Sequence, residues 1–270
     1  MNTRQQKILE AVIKGYVNTA QPVSSGILNK KYGLKTSPAT IRAEMKRLEE
    51  EGYLYQPYTS AGRIPTDKGY RFFINSLMRN KELSLREQEA LQQNFLKNRE
   101  ISRLMPKIAG LLADMSSNLA ISGLLDFDEP EFHKAGAGRL LREPEFGDGN
   151  QIAEILDYLD RNIEELFDIA QDETIGIYPH TQKTSAFKPG TNNQPMDSSS
   201  ERTHSLGMGV RVYIGQENPI KQMKGLSMIV SGQRLKSGNR GLIAILGPLR
   251  MRYDRNIALV EYIRDLLENI

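Results

Sequence analysis

Cationic and small side chains occur together in one short stretch of the chain, in a pattern suited to holding nucleic acid. Arg42 and Lys46 lie four residues apart in SPATIRAEMKRLEEEG, so both fall on one face of a helix. Side chains of these types bind guanine acceptors and phosphate oxygens. Ala39, Thr40 and Ala43 are small enough to let the same face approach base edges in a major groove. The predicted chemistry is recognition of double-stranded DNA.

The element that must position these residues is a helix beginning at Ser37. Serine is a good N-cap and Pro38 suits the first helical position, whereas Gly52 marks the end. Ser37 is therefore predicted to meet DNA together with the outward residues. Apolar residues on the opposite face predict a buried stripe of Ile41, Met45 and Leu48. The alternative interpretation is an ordinary solvated helix, which also carries charge on one face.

A turn-rich segment, YLYQPYTSAGRIPTDKGYRFF, follows this helix directly. Its first residues are predicted to form a strand, and its prolines and glycines predict a hairpin. We expect Arg63 to stand at the hairpin tip and to enter a minor groove or hold a phosphate. We expect Thr59 and Ser60 to donate hydroxyl hydrogen bonds to the DNA backbone. The alternative for these two hydroxyls is ordinary turn chemistry.

Two earlier helices favour a helix-turn-helix over an isolated surface helix. The first has a predicted capping box that starts at Thr3, and it ends at Ala20. The second is predicted to begin at Ser24 or Ser25 and to close at Gly33. Its inward residues are predicted to be Ile27, Leu28 and Tyr32. Three helices followed by a basic hairpin form a winged helix-turn-helix.

Charge supports a nucleic-acid partner for the first part of the chain. Residues 1–80 carry 13 Lys or Arg against 6 Asp or Glu, a net charge of +7, whereas the whole chain carries +3. The remaining residues therefore carry about −4. A basic module joined to a mildly acidic one is typical of a DNA-binding head on a regulatory or dimerising body.

Composition excludes several other classes of protein. With no cysteine in 270 residues, neither a disulfide framework nor thiolate catalysis is possible. The first residues lack the apolar core of a signal peptide, and no run approaches the roughly 18 apolar residues of a membrane span. We expect a soluble cytoplasmic protein that has no membrane partner.

Catalytic and metal-binding chemistry is not predicted. His133, His180 and His204 are far apart in loop-like or poorly patterned segments and form no metal-ligand spacing. The KAGAGR segment lacks both the preceding strand and the ending of a phosphate loop, so we expect a plain turn. The chain is predicted not to be an enzyme and to need no cofactor or metal.

The residues after position 80 predict a helical connection and a mixed domain. A polar helix with a capping box at Ser84 and Glu87 should run to Pro106, which should break or kink it. A second helix should then carry Leu119 on its apolar side. Three β-rich runs, VRVYIG, LSMIVSG and GLIAILGP, precede a terminal helix. The predicted class is α+β, with a winged helix-turn-helix at residues 1–80, a helical connector or dimerisation region at 81–120, a regulatory domain at 121–270 and a flexible loop at 183–205.

Two long stretches of the chain resemble one known family. PVSSGILNKKYGLKTSPATIRAEMKRLEEEGYLYQPYTSAGRIPTDKGYRFF closely resembles the N-terminal domain of the heat-inducible transcription repressor family HrcA, and IAILGPLRMRYDRNIALVEYI is similar to its closing segment. The resemblance implies a homodimeric repressor that binds an inverted-repeat operator ahead of heat-shock chaperone genes. It also implies a GAF-like domain at residues 121–270 and an activity maintained by the chaperonin.

The chain departs from the family pattern in its length, in the segment at 183–205, which resembles no core element, and at one residue of the wing. Family members are usually longer, and the missing part is predicted to fall between Leu119 and Arg142, where an inserted dimerisation subdomain is normally carried. Tyr58 stands where the family commonly has His. The alternative function is a small-molecule-responsive winged-helix regulator of an unrelated regulon, because GAF domains often hold small ligands.

Overall fold

The computed structural model describes residues 1–34, 36–79, 81–97, 100–125, 130–147, 149–171 and 209–269. Within these residues the chain forms a head (residues 1–79) and a larger body (residues 85–269). The helices are α1 (Thr3–Thr19), α2 (Ser25–Tyr32), α3 (Pro38–Glu50), α4 (Asp67–Phe72), α5 (Leu85–Lys97), α6 (Ile101–Ser116), α7 (Ala137–Leu140), α8 (Asn150–Asn162), α9 (Glu165–Gln171) and α10 (Tyr253–Leu267). The strands are β1 (Leu54–Tyr55), β2 (Ile64–Pro65), β3 (Leu119–Leu124), β4 (Glu131–Ala135), β5 (Arg211–Ile214), β6 (Leu226–Arg234) and β7 (Arg240–Pro248).

The first three helices each begin at a side-chain cap. At α1, the Asn2 side chain accepts the Gln5 N–H at 2.9 Å, and the Gln5 side chain accepts the Asn2 N–H at 2.9 Å. The predicted capping box at Thr3 is therefore wrong by one residue. Ser24 caps α2, and Gly33 ends it with φ 59°, in the left-handed region that glycine tolerates.

Burial in α2 and α3 follows the predicted stripes with one exception. Leu28, Ile41, Met45 and Leu48 are at most 1% exposed. Ile27 is 47% exposed, so the prediction that it faces inward is wrong. Consecutive helical residues point about 100° apart, and in this two-turn helix the core receives Leu28 rather than its neighbour.

The body is built around an antiparallel sheet, whose described strands follow the order β4-β3-β7-β6-β5. Leu119 pairs with Leu246 between β3 and β7, and Leu226 pairs with Pro248 between β6 and β7. Alternate residues of β7 enter opposite layers. Ile243 and Ile245 pack with the apolar faces of α6 and α10, and Leu242, Ala244 and Leu246 pack with those of α8 and α9. Because both faces of β3 and β7 are covered, these two strands are apolar over most of their length.

These observations confirm the predicted α+β class, with a winged helix-turn-helix, a helical linker and a GAF-like body. The three β-rich runs form β5, β6 and β7, and the terminal helix forms α10. The predicted flexible loop at 183–205 lies outside the described residues, as do His180 and His204. Among the described helices, none is both long and apolar enough to cross a bilayer.

The helical connection differs from the prediction at Pro106. The first connecting helix ends at Lys97, and Pro106 lies inside α6 instead of ending a helix. Leu104, Met105 and Ile108 beside it are fully buried. Burial of three such side chains, at roughly 1.5–3 kcal/mol each, outweighs the roughly 3 kcal/mol that an internal proline costs.

Strands lie where other structures were predicted at Leu119, at His133 and before KAGAGR. Leu119 begins β3 and does not continue a helix, since α6 ends at Ser116 and Ser117 takes φ 61°. His133 lies in β4, opposite Ser122 of β3, and not in a loop. The KAGAGR segment is not the plain turn predicted, because β4 ends within it at Ala135, Gly136 turns the chain with φ 87°, and α7 begins at Ala137.

The head is joined to the body by apolar and charged contacts. The Tyr70 and Tyr253 rings lie 5.7 Å apart between centroids, so the two apolar cores are continuous. The Arg71 guanidinium pairs with the Glu217 carboxylate, with its Nε 2.9 Å from the nearer oxygen. The Asp67 carboxylate accepts the backbone N–H of Gln216 at 2.9 Å. All three contacts come from α4 of the head.

Candidate nucleic-acid interface

Helix α3 begins at the predicted N-cap and presents two hydroxyls there. The Ser37 Oγ accepts the Thr40 N–H at 3.2 Å and lies 3.0 Å from the Thr40 Oγ1. Pro38 occupies the first turn, where its missing N–H costs nothing. The remaining N–H groups and the positive end of the helix dipole favour an anion at this terminus.

The outward face of α3 is exposed along its length. Ala39, Arg42, Ala43 and Lys46 are exposed. Lys46 lies 3.8 Å from Glu50, and both side chains are more than 60% exposed, so this pair is weak. Within the described part of the chain, Arg42 makes no hydrogen bond or ion pair, and its guanidinium is available to a ligand.

The turn between α2 and α3 is fixed by a residue that the sequence did not single out. The Asn29 Nδ2 donates to the Thr36 carbonyl at 2.7 Å. This bond ties the end of α2 to the residue before the α3 cap. Asn29 carries no distinctive spacing, because its partner is a backbone carbonyl that any residue could supply.

A short hairpin forms the wing beside α3. Strands β1 and β2 pair antiparallel, with Tyr55 opposite Ile64. The Gln56 side chain closes the loop between them by donating to the Thr59 carbonyl at 2.9 Å and the Ala61 carbonyl at 2.8 Å. The tip consists of residues 58–61, in which Thr59, Ser60 and Tyr58 are exposed, the last by 62%.

Arg63 does not stand at the wing tip, so that prediction is wrong. It directly precedes β2 and exchanges two backbone hydrogen bonds of 2.9 Å with Val23. Its side chain is 14% exposed, and its Nε and Nη2 donate to the Glu49 Oε2 at 3.0 and 2.8 Å. Glu49, in the last turn of α3, therefore lies between the helix and the wing.

The described residues contain no group of three histidine, aspartate or glutamate side chains arranged to hold a metal ion.

A cleft of about 480 Å³ lies between head and body, lined in part by Tyr16, Asp67, Tyr70 and Arg250. The Tyr70 hydroxyl is buried and has no hydrogen-bond partner among the described residues. Burial raises its pKa well above the ordinary tyrosine value.

A three-helix head with a hairpin wing, mounted on a GAF-like sheet, defines a winged-helix protein of the transcription-regulator class. A solved crystal structure titled only as a hypothetical protein has the same overall fold. Its TM-score is 0.67 at 18% identity, and the match covers 100% of this chain and 98% of that one.

Sequence comparisons identify the family. Residues 68–257 match the family described as HrcA protein C terminal domain. The heat-inducible transcription repressor HrcA of Geobacter sulfurreducens is 28% identical over 335 aligned positions, covering 100% of this chain and 98% of the relative. The protein of that name from Natranaerobius thermophilus is 29% identical over 330 positions, covering 99% and 96%. The chain belongs to the HrcA family.

The chain is a short member of this family, as predicted. The alignment with the Geobacter sulfurreducens relative has 335 positions, against 270 residues in this chain, so at least 65 positions of the alignment have no counterpart here. The location of the missing part between Leu119 and Arg142 remains a prediction. In the structure that interval contains β3, β4 and α7.

Proposed function

We propose that this chain is a transcription repressor that binds operator DNA through helix α3 and the wing. The observation that carries the proposal is the exposed face of α3, where the Arg42 guanidinium has no ion-pair partner among the described residues and stands beside two small residues. The relatives named above are heat-inducible transcription repressors, which supports the same role here. The proposed contacts are Ser37, Ala39, Thr40, Arg42, Ala43 and Lys46 in a major groove, and Thr59 and Ser60 on the DNA backbone.

Arg63 has a different place in this proposal. Its guanidinium is occupied by Glu49 and its side chain is largely buried. We therefore assign it to holding the wing in place, with contact to a DNA phosphate only through its remaining exposed edge.

The proposed repressor is a homodimer in the cytoplasm, without enzymatic activity. A two-fold axis places two heads on an inverted repeat, with half-sites separated by whole helical turns of about 34–36 Å. Occupation of a site that overlaps a promoter blocks polymerase. We further propose that the chaperonin maintains the active fold, so that heat, by diverting the chaperonin to other unfolded proteins, releases the chaperone genes.

The test is binding of the purified chain to duplexes from its own upstream region and from chaperone promoters, with scrambled duplexes as controls. Arg42→Ala should weaken operator binding by roughly 1–3 kcal/mol, because a base contact is lost, and should change binding to scrambled DNA little. Arg79→Ala, which also removes an exposed cation of the head, is the matched control. Equal losses on both duplexes would show that Arg42 does not read bases.

Two further arms of this experiment address the assembly and the chaperonin. An isolated half-site should bind more weakly than the inverted repeat if the chain acts as a dimer. Chaperonin added after a heat pulse should restore operator binding. Weak binding that is equal on all duplexes and unaffected by chaperonin would contradict the repressor proposal, and a ligand-induced rise in Tm would then favour the small-molecule regulator.

A further inference from the structure

We infer that Glu49 is a positioning residue for DNA recognition, since it fixes the wing relative to helix α3. The inference rests on the proposed function. Glu49 lies in the last turn of α3, and its carboxylate reaches both sides of the hairpin. One oxygen, Oε1, accepts the backbone N–H of Gln56 at 3.1 Å, directly after β1. The other, Oε2, accepts two N–H groups of Arg63, directly before β2, at 3.0 and 2.8 Å.

The two residues that Glu49 holds are the ones that shape the rest of the wing. Gln56 donates through its side chain to the carbonyls of Thr59 and Ala61, so its position sets the loop that carries the tip. Arg63 pairs through its backbone with Val23, so its position sets the distance from the wing to the segment before α2. A single carboxylate thus joins three segments of the head.

This arrangement differs from an ordinary surface ion pair, which contributes little. The Arg63 side chain is only 14% exposed and that of Glu49 31% exposed. Hydrogen bonds between ionised partners are shorter and stronger than neutral ones. Loss of the carboxylate would also leave the Gln56 N–H and a largely buried guanidinium without their acceptor, which costs more than the pair itself contributes.

Removing the negative charge of Glu49 should have the opposite effect on DNA binding from that expected of an ordinary acidic residue. An acidic side chain near DNA repels the phosphates, so its neutralisation ordinarily strengthens binding. Glu49→Gln should instead weaken operator binding by about tenfold, the equivalent of one charge-assisted hydrogen bond. The glutamine amide retains one acceptor oxygen, but its NH₂ group faces donors and cannot replace the second.

Glu50→Gln is the matched control because it makes the same charge change one residue along the chain. The Glu50 side chain is 62% exposed, and its ion-pair partner is the exposed Lys46. Its neutralisation should leave operator affinity unchanged or slightly higher. Both variants should be assayed on the operator and on scrambled duplex at two salt concentrations, and Glu49→Gln should lose affinity mainly for the operator.

Measurements other than affinity distinguish positioning of the wing by Glu49 from a general contribution of Glu49 to folding. The fraction of active protein, obtained by titration with excess operator, and the helical circular dichroism should match the wild type in Glu49→Gln. In the wild-type chain, the Gln56 amide should exchange with solvent slowly, although it lies at the start of an exposed loop, and Glu49→Gln should accelerate that exchange.

The possible results separate failure of the role assigned to Glu49 from failure of the proposed function. Wild-type binding that is sequence-selective, combined with equal behaviour of Glu49→Gln and Glu50→Gln, would overturn it while leaving the proposed function intact. If Glu49→Gln does not fold, fast exchange of the Gln56 amide in the wild type would overturn it. Wild-type protein that binds no duplex selectively would instead contradict the proposed function.

Discussion

Gly62 allows the wing to lie directly against the segment that precedes α2. A methyl group at this position would lie 2.4 Å from the Val23 carbonyl carbon and 2.5 Å from its oxygen. These are backbone atoms, which cannot rotate away. Gly62→Ala should therefore separate the wing from Val23 and destabilise the head by roughly 1–3 kcal/mol, the usual cost of overpacking. Chemical denaturation of the two proteins measures the difference.

Gly26→Ala is a suitable control for this substitution. A methyl group at Gly26 meets nothing closer than the Ser24 Oγ at 3.9 Å, and the position lies in a helix. The free energy of unfolding should stay equal or rise by up to about 1 kcal/mol, because alanine favours a helix over glycine. Equal effects of the two substitutions would contradict the close approach at Gly62.

Local sequence patterns predict the caps and buried faces of helices but not the partners of individual charged side chains. Ser37, Ile41 and Arg42 could be assigned from the sequence because capping and helical periodicity depend on near neighbours. Arg42 and Arg63 are both arginines beside small residues. The Arg63 guanidinium is hydrogen-bonded to a carboxylate, whereas the Arg42 side chain is exposed. The difference lies in Glu49, which precedes Arg63 by 14 positions, and no local pattern connects them.

The start of α5 combines a helix cap with a contact to the terminal helix. Glu87 accepts the Ser84 N–H at 2.9 Å and the Ser84 hydroxyl at 2.7 Å, and it accepts Arg255 of α10 at 2.6 Å. The hydrogen bonds from Ser84 and the charge of Arg255 lower the pKa of the Glu87 carboxyl. The ionised form is therefore the one that stabilises the folded chain.

This cap predicts a pH-dependent difference in stability. A carboxyl with a lowered pKa contributes stability above its unfolded pKa of about 4.3 and loses it as the pH falls through the lower folded value. Glu87→Gln should lower the free energy of unfolding by at most about 1 kcal/mol at neutral pH, and the difference should shrink as the pH falls below about 4.3 and vanish only below the lowered folded pKa. Glu89→Gln makes the same substitution at an exposed position of the same helix and is the matched control. A constant difference across this range would contradict the assignment.

Among the helices and strands, the prediction succeeded for those whose own residues carry the whole signal. Helix α3 has its own cap and stripe, and α10 has its own apolar row. The run that forms β3 is short and apolar, which fits a buried helix as well as a strand. Its identity is decided by β7, whose pairing residues lie more than 100 positions later.

At the scale of the whole molecule, Arg71 links the position of the head to the body. Its guanidinium binds the Glu217 carboxylate and the Val212 carbonyl, and these side chains are 21% and 29% exposed for Arg71 and Glu217. Arg71→Ala should cost roughly 1–3 kcal/mol, since it leaves a partly buried carboxylate unpaired. The head should then open separately from the body.

Hydrogen exchange and calorimetry check this prediction together. In Arg71→Ala, amides of α4 should exchange faster than those of β6 and β7, and the single unfolding transition should broaden or divide. Arg79→Ala, which removes an exposed cation from the same head, should leave both measurements unchanged. A uniform acceleration of exchange in both parts would show that the head does not depend on this contact.

The strand order also determines when the sheet can form. Strand β7 lies between β3 and β6. Leu119 of β3 pairs with Leu246 of β7, which is 127 residues later in the chain, so this pairing cannot form until β7 has been synthesised. During synthesis the β3 edge stays unpaired and apolar, whereas the head depends on near neighbours. Long-range pairing of this kind is slow, and open strand edges aggregate. Until β7 is available, the chain therefore exposes an unpaired apolar strand edge, which favours aggregation.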